Sequence, residues 1–517
     1  MQEFEIDFNP QFSKALGMLE NGSRSVFVTG KAGTGKSTLL RYFRDHTVKK
    51  IVVLAPTGVA ALNVGGETIH SFFAFKPGVT PDTVKQLKGK KALIYRELDA
   101  LIIDEVSMAR ADLMDCVDAF MRLNGKDPLL PFGGAQLILI GDLYQLPPVV
   151  TGAERGLFSG FYDGPYFFSA RVFVKLELEF VELEKIYRQT DSGFIAILNA
   201  IRNNSITPAA LAALNRRVGV PHKSGLGCAV QLLTTNAAAL GVNLEHLSRL
   251  QGREHRYAAE TTGSFSRDSY PAEEHLRLKR RAQVMLLNND PAGRWVNGTM
   301  AEVAEIIAGI GGEPDNVLVR LPGGALESVQ PHAWELIHFT YNREEGRIES
   351  ETAGTFRQYP LKLAWGITIH KSQGKTFERV ALDLGDRAFA AGQTYVALSR
   401  CVSLEGLSLA RPVRRGDVIT DRRIIKFVTD HQYKLSDRDL PFDMKVGLIS
   451  RAIKEGRCLG LTYLKAADEK SRRKVRPLAV GERRYRQASF IGLDAHCLDR
   501  GEDRVFRVDR ILELEII

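Results

Sequence analysis

SVFVTGKAGTGKSTLLRYF, residues 25–43, decides the reading of this chain. Ser25–Thr29 is a short apolar, β-prone run, Gly30–Ser37 is a glycine loop, and the residues after it have helical spacing, so the stretch predicts strand, loop and helix. The loop, GKAGTGKS, matches G-x-x-x-x-G-K-[ST] in full and stands in the structural context that the pattern requires. Its glycines let backbone N–H groups close on phosphate oxygens. Lys36 then offers a point charge to the β and γ phosphates, and the Ser37 hydroxyl is a Mg²⁺ ligand. The loop alone implies a bound nucleoside triphosphate and no particular activity.

Three more apolar runs end in polar residues, as buried parallel strands do: Ile51–Ala55, Leu101–Ile103 and Leu137–Ile140. Function is expected at those strand ends. Asp104 and Glu105 follow the second run, where one carboxylate can hold the metal shell and the other can orient or deprotonate the attacking water. An acidic pair at a strand end is commonly a solvated turn, and the upstream phosphate loop is what favours the catalytic reading. Gln145, in GDLYQLPPVV, is an uncharged hydrogen-bonder placed to sense the γ-phosphate. Arg188, in YRQ, and Arg400, in GQTYVALSRC, are candidates to stabilise charge during phosphoryl transfer.

Two segments share hydroxyls, glycines and a histidine suited to gripping a sugar-phosphate strand: Ala55–Phe75 and Ala364–Phe377. Thr57, His70, Ser71, Thr368, His370 and Lys371 can bond phosphates without reading bases. Phe72 or Phe73 can stack on a base or pack in a core.

At 517 residues the chain exceeds one ordinary core. Its 44% hydrophobic and 25% charged composition is that of a soluble globular protein. A net charge of +9 favours an anionic partner. The N-terminal MQEFEIDFNP lacks the basic-then-apolar order of a signal peptide, and no run approaches the roughly 18 apolar residues of a membrane span. A cytoplasmic protein without membrane association is therefore expected. Cys116, Cys228, Cys401, Cys458 and Cys497 are widely spaced and suggest reduced thiols rather than disulfides or a metal site.

A second α/β core is expected from about Val181, with strands at Val230–Leu233, Val284–Leu287 and Val380–Leu384 and a helix over Ala237–Leu250. Short β-prone pieces between Asn297 and Tyr359 suggest a small inserted β-barrel. The expected division is 1–180, 181–430 with the insertion at about 297–359, a polar linker 431–445, and a module at 446–517. That module holds 16 Lys or Arg against 11 Asp or Glu.

In this order the motifs resemble those of PIF-type helicases of superfamily one, the branch that includes RecD-like motors, over about Phe12–Val428. Specificity comes from Met108–Val150, with PFGG before the fourth strand setting it apart from RecD-like relatives. The resemblance implies two RecA-like domains with the β-barrel inserted in the second, ATP between them, and 5′→3′ movement on single-stranded DNA coupled to unwinding of tailed or structured duplexes in genome maintenance. RNA is a further partner the sequence leaves open, and a monomer is the expected working form. Carried over, the ATP-binding set is Gly30, Ala32, Gly33, Thr34, Gly35, Lys36, Ser37 and Thr38, with Gly374 reaching the γ-phosphate from the second core. Gln11 is the candidate adenine-reading glutamine. The resemblance adds Gly58, Pro147, Asn236 and Ser372 to the DNA-contact set.

The C-terminal module resembles WYL domains, with Ile491, Gly492 and Leu493 where that family has Trp-Tyr-Leu. Tyr463, Arg472, Arg473, Arg476, Arg507 and Arg510 give it a basic, aromatic-bearing character that suits single-stranded nucleic acid, or a solvated face. Two rivals remain: a nucleotide-switched DNA-binding regulator with a ligand-sensing tail, and a RecD-like recombination motor.

Overall fold

The computed structural model describes residues 6–517, apart from 23, 77, 151, 190, 222–228, 266, 466–467 and 486–487, so Cys228 lies outside the described residues. By internal contacts the chain divides into two compact units, 1–202 with 206–419, and 203–205 with 420–517.

The first unit opens on a six-stranded parallel sheet in the order Glu67–Thr68, Ile51–Ala55, Ala100–Ile103, Gln136–Ile140, Ser25–Gly30, Leu178–Leu183. The four strands expected from the apolar runs are all present. Apart from Ile51, every residue of those four is buried, as a sheet covered on both faces demands. The helices Pro10–Asn21 and Lys36–His46 supply Phe12, Leu19, Leu39 and Phe43 to one shared core with Val26, Val53, Ile102 and Ile138. Because the strands are parallel, their C-terminal ends deliver Gly30, Asp104 and Gly141 to one edge.

A second parallel sheet has the order Gly366–Thr368, Val230–Leu233, Val380–Leu382, Leu407–Leu409. The helix expected over Ala237–Leu250 runs from Asn236 to Arg249, capped by the Thr235 side chain on the Ala238 N–H. Two assignments are corrected: Leu178–Leu183 pairs with Ser25–Gly30 in the first sheet, so the second core begins after Leu183 and not at Val181, and one strand changes sheet. Val284–Leu287 does not belong to this sheet: Gln283–Leu286 pairs antiparallel with Met300–Ile307 and Leu361–Leu363. A fully buried apolar run of four residues reads the same in either environment, and only its pairing partners distinguish them. Gly366–Thr368 takes the place instead.

The β-rich insert is wider than 297–359. Antiparallel strands begin at His255 and end at Leu363, in five-, three- and two-stranded sheets. The five-stranded sheet closes over Leu276, Val284, Val303, Val317, Val319 and Leu361. The three-stranded one is built on the long hairpin His332–Asn342 and Arg347–Gln358.

The second unit has helices Arg422–Asp439 and Phe442–Glu455 and an antiparallel sheet ordered Glu502–Arg507, Ala488–Cys497, Glu469–Tyr485, Leu459–Lys465, Ile511–Ile516. Residues 431–445 are therefore helical on both sides of Pro441, not an extended linker. Their buried stripe continues the i, i+4 spacing of Ile424 and Val428 through Gln432 and Ser436. Those two side chains bond Asp468 and the carbonyls of Ile511 and Leu512, so the stripe is helical in period yet invisible to a hydropathy reading.

Candidate nucleotide site and nucleic-acid interface

The loop after the first strand turns through left-handed Gly33 (φ 81°) and Gly35 (φ 87°) into the helix that starts at Lys36. Gly33 is obligatory on contact grounds as well: a Cβ there would lie 2.5 Å from the Arg188 Cβ, and the Gly33 carbonyl accepts from the Tyr187 N–H at 2.8 Å. Ser37 and Thr38 are exposed at the helix N-terminus, where N–H groups lack intrahelical partners. Lys36 folds back on its own loop, donating to the carbonyls of Gly30 (2.8 Å) and Lys31 (3.1 Å). Dense surroundings hold its pKa below the ordinary lysine value, opposed by the charges of Asp142, Glu105 and Asp104.

Asp104 and Glu105 stand at the adjacent strand end. Burial, then its neighbour Glu105, pushes the Asp104 carboxyl up to about 7. Burial also raises Glu105, against the pull of Lys36 and Arg400. Glu105 sits at φ 49°, a left-handed conformation costly for a residue with a Cβ, of the kind that collects at functional sites.

Asp142, in the GD pair of the fourth strand end, is a residue the sequence did not single out. It is fully buried. Its carboxylate accepts from the Tyr144 N–H (3.1 Å), the Gln145 amide (3.4 Å) and the Tyr395 hydroxyl (3.3 Å), with Arg202 at 3.6 Å. Arg202 also lies 3.8 Å over the Tyr144 ring. Gln145 is buried, and its amide oxygen accepts from Gln373 of the second core at 3.4 Å. The signal available in sequence for Asp142 was the strand-ending GD; for Tyr395 and Arg202 there was none.

Both expected arginines reach this edge. Arg188 backs Gly33 and donates to the carbonyls of Ser399 (3.3 Å) and Gly374 (3.4 Å). Arg400 is 1% exposed and donates to the carbonyls of Val396 (2.9 Å), Lys375 (3.3 Å) and Ser372 (3.4 Å) and to the Ser399 hydroxyl (2.8 Å). Burial, then Arg188, lowers its pKa from the usual guanidinium range. Gly374 is left-handed at φ 75° with open space where a side chain would point. Gln11 is half-buried in the first turn of the helix Pro10–Asn21, and no hydrogen bond described ties its side chain to the loop.

The strand-gripping set divides. Thr68 and Thr368 end strands and Thr57 lies two residues past one, and their hydroxyls accept from the N–H groups of Ser71, Lys371 and Ala60. His70, Lys371 and Asn236 are exposed and Pro147 and His370 half-buried, while Thr368 is only 4% exposed. Partial desolvation by neighbouring protein atoms lowers the pKa of both histidines. Three expectations need correction. Phe72 is 2% exposed, edge-on to Phe73, Tyr95 and Phe339, so its faces are taken by protein rings. Ser372 is wholly buried and bonds the Ile369 carbonyl. Gly58 is buried against Ser269 of the insert. Beside them, and missed in sequence, Lys375 donates to Asn297 at 2.5 Å, and burial brings Lys375 down to about 8 and Lys362 to about 7.

In the second unit Arg472 and Arg476 are exposed on the face of their strand opposite buried Val475, whereas the alternation turns Arg473 toward the Val475 side. Leu493 is core and Gly492 lies under Arg483, which pairs with Asp494.

Known proteins match this geometry. The PIF1-like helicase family model covers residues 12–208, and the WYL domain model covers residues 445–516. The ATP-dependent DNA helicase PIF1 of Homo sapiens is 36% identical over 398 residues, 74% of this chain and 58% of that protein. The chain thus spans under two thirds of the human relative's length. The ATP-dependent DNA helicase Pif1 of Bdellovibrio bacteriovorus is 33% identical over 437 residues, 83% of this chain and 93% of that protein. Pif1 from Bacteroides sp in complex with ADP-AlF4 superposes with a TM-score of 0.76 at 34% identity, covering 83% of this chain and 98% of that one. The same relative bound to ssDNA gives 0.61. No described helix is long and apolar enough to cross a membrane. A phosphate loop flanked by Arg188 and by Arg400 of a second parallel core, with a β-rich insert in that core and this degree of identity along nearly the whole of the Bdellovibrio protein, places the chain in the PIF1-like helicase family.

Proposed function

We propose that this chain is an ATP-dependent DNA helicase that moves 5′→3′ along single-stranded DNA and separates the duplex ahead. The observation that carries the reading is the composite character of the site: Arg188 and Arg400 bond carbonyls of the second core while standing beside the loop and carboxylates of the first. ATP binds with its phosphates on the loop N–H groups and Lys36, which leaves the Gly30 and Lys31 carbonyls to reach them. Asp104 and Glu105 repel each other, no described side-chain cation is hydrogen-bonded to either, and exposed Ser37 follows Lys36, whose charge both carboxylates feel, a donor set that fits Mg²⁺ completed by phosphate oxygens and water. Mg²⁺ bound there supplies charge neutralisation on the transferring phosphoryl group. Glu105 orients and deprotonates the attacking water, Gln145 senses the γ-phosphate, and the arginines stabilise the charge that develops.

The hydroxyl caps at Thr57 and Thr368, with His70, His370, Lys371 and Asn236, hold the sugar-phosphate strand from each core in turn. Exposed Arg472 and Arg476 of the C-terminal unit add phosphate contacts. The relatives' activity on DNA and the solved Bacteroides Pif1 bound to ssDNA support the partner class. Unwinding of duplexes with a 5′ or a 3′ single-stranded tail, of DNA or RNA, tests the reading. Only the 5′ DNA tail should support strand separation, and Lys36→Ala should abolish both unwinding and DNA-stimulated hydrolysis. Normal unwinding by that variant would refute the mechanism.

A further inference from the structure

Between the phosphate loop and Arg400 lies a side chain to which the hydrolysis scheme assigns nothing. Tyr395 is 4% exposed, in the short helix Gln393–Leu398 of which every residue is buried. Its hydroxyl accepts from the Ala32 N–H of the phosphate loop at 3.1 Å and donates to Asp142 at 3.3 Å. One oxygen of the second core thus touches two separate strand ends of the first. Burial and the Asp142 charge raise its pKa above the ordinary phenol value, so it stays a neutral donor at any working pH.

Three neighbours make this contact rigid. Left-handed Gly392, which caps the helix, lies so close to the first core that a Cβ would stand 2.4 Å from the carbonyl oxygens of both Tyr144 and Gln145. Asp142 is pinned from the other side by the Tyr144 N–H, the Gln145 amide and Arg202. At the far end Arg400 bonds back to the Val396 carbonyl of the same helix. Arg400 stands two residues beyond the helix and is tied to it by turn bonds from the Ser399 N–H to the Tyr395 carbonyl (2.9 Å) and from its own N–H to the Ala397 carbonyl (3.3 Å). Behind the loop lies a small cavity bordered by Lys31, Ala32, Gln189, Asn199, Tyr395 and Ser399.

We propose that Tyr395 is a positioning residue for ATP hydrolysis: its hydroxyl fixes the register of the phosphate loop and of the Asp142–Gln145 turn against the helix that leads into Arg400. This rests on the helicase reading above. It makes a specific claim about which parameter changes. Arg400 is aligned with the γ-phosphate only when the cores are in register, so losing the link affects the transition state more than the bound ground state.

The test is Tyr395→Phe in the full chain, which keeps the ring and deletes one oxygen. The expected result is a roughly tenfold fall in kcat for ATP hydrolysis, with KM for ATP and the affinity for single-stranded DNA each within twofold of wild type. Asp142→Asn, which weakens the Tyr395 bond along with those from Arg202 and the Tyr144–Gln145 turn, should also lower kcat, and the double variant should lose less than the two single losses combined, because they share one bond. An unchanged kcat, a change confined to KM, or fully additive losses would overturn the proposal. Should Tyr395→Phe fail to fold, Asp142→Asn decides the matter through the same kcat-against-KM split. A wild-type chain with no ATPase activity would instead refute the helicase reading, so the two failures are distinct.

Discussion

Arg188 stands beside the phosphate loop and Arg400 beside Glu105, yet replacing each by lysine should have different consequences. At Arg400 the guanidinium spends four contacts on protein: 2.9 Å to the Val396 carbonyl, 2.8 Å to the Ser399 hydroxyl, and 3.3 and 3.4 Å to the carbonyls of Lys375 and Ser372. At 1% exposure none of these acceptors can recover its bond from water. A lysine keeps the charge but can satisfy one or two of them, so at least two buried acceptors are orphaned. At about 1 kcal/mol or more for each, Arg400→Lys should destabilise the chain by about 2–3 kcal/mol. Arg188 is only half-buried and makes two long bonds, 3.3 and 3.4 Å, so Arg188→Lys should cost under about 1 kcal/mol. In hydrolysis the two should look alike, each losing about 10³ in kcat if a fork on the γ-phosphate is required. Urea denaturation of both variants at equal protein concentration, beside steady-state ATPase assays with saturating single-stranded DNA, separates the roles. Arg400→Lys unfolding at the wild-type midpoint would refute the structural half of the argument. Arg188→Lys retaining wild-type kcat would refute the catalytic half.

Asp104 titrates at about 7 in the folded chain against an ordinary 3.8. The folded state therefore holds the Asp104 proton more tightly than the unfolded one, so the stability this group contributes is fully present below about pH 4 and is lost as the pH rises through about 7. Asp104→Asn should stabilise the nucleotide-free protein at pH 8 by about 1–3 kcal/mol while abolishing hydrolysis, as thermal unfolding and ATPase assays would show. Phe72→Ala should lower stability by about 3–5 kcal/mol through a core cavity, and any loss of DNA affinity should follow that destabilisation; a stable variant with selectively weakened binding would restore the stacking role. In the C-terminal unit, Arg472→Ala and Arg476→Ala should each reduce the slope of log affinity against log salt by about one if they contact phosphate, while Arg473→Ala, on the opposite face, should leave it unchanged.

The phosphate loop, four central strands and both carboxylates were legible in the chain itself, because each depends on local pattern (an apolar run, a polar end, a glycine spacing), whereas the two arginines stood out only by their place in the motif order. The period of a polar helix such as 422–439 was hidden because its buried stripe is completed by Gln432 and Ser436 rather than by hydrocarbon. Val284 was assigned to the wrong sheet because a buried strand carries no mark of its partners. Phe72 could be surface or core on sequence alone, and only its packing against Tyr95 and Phe339 decides. Likewise Tyr395 stands 363 residues from Ala32 and 253 from Asp142. Sequence determined which groups the protein has for binding and cleaving a nucleotide. Tertiary structure alone decided which of them meet, because hydrogen bonds of a few ångströms between two cores depend on how the sheets stack and not on any residue's neighbours in the chain.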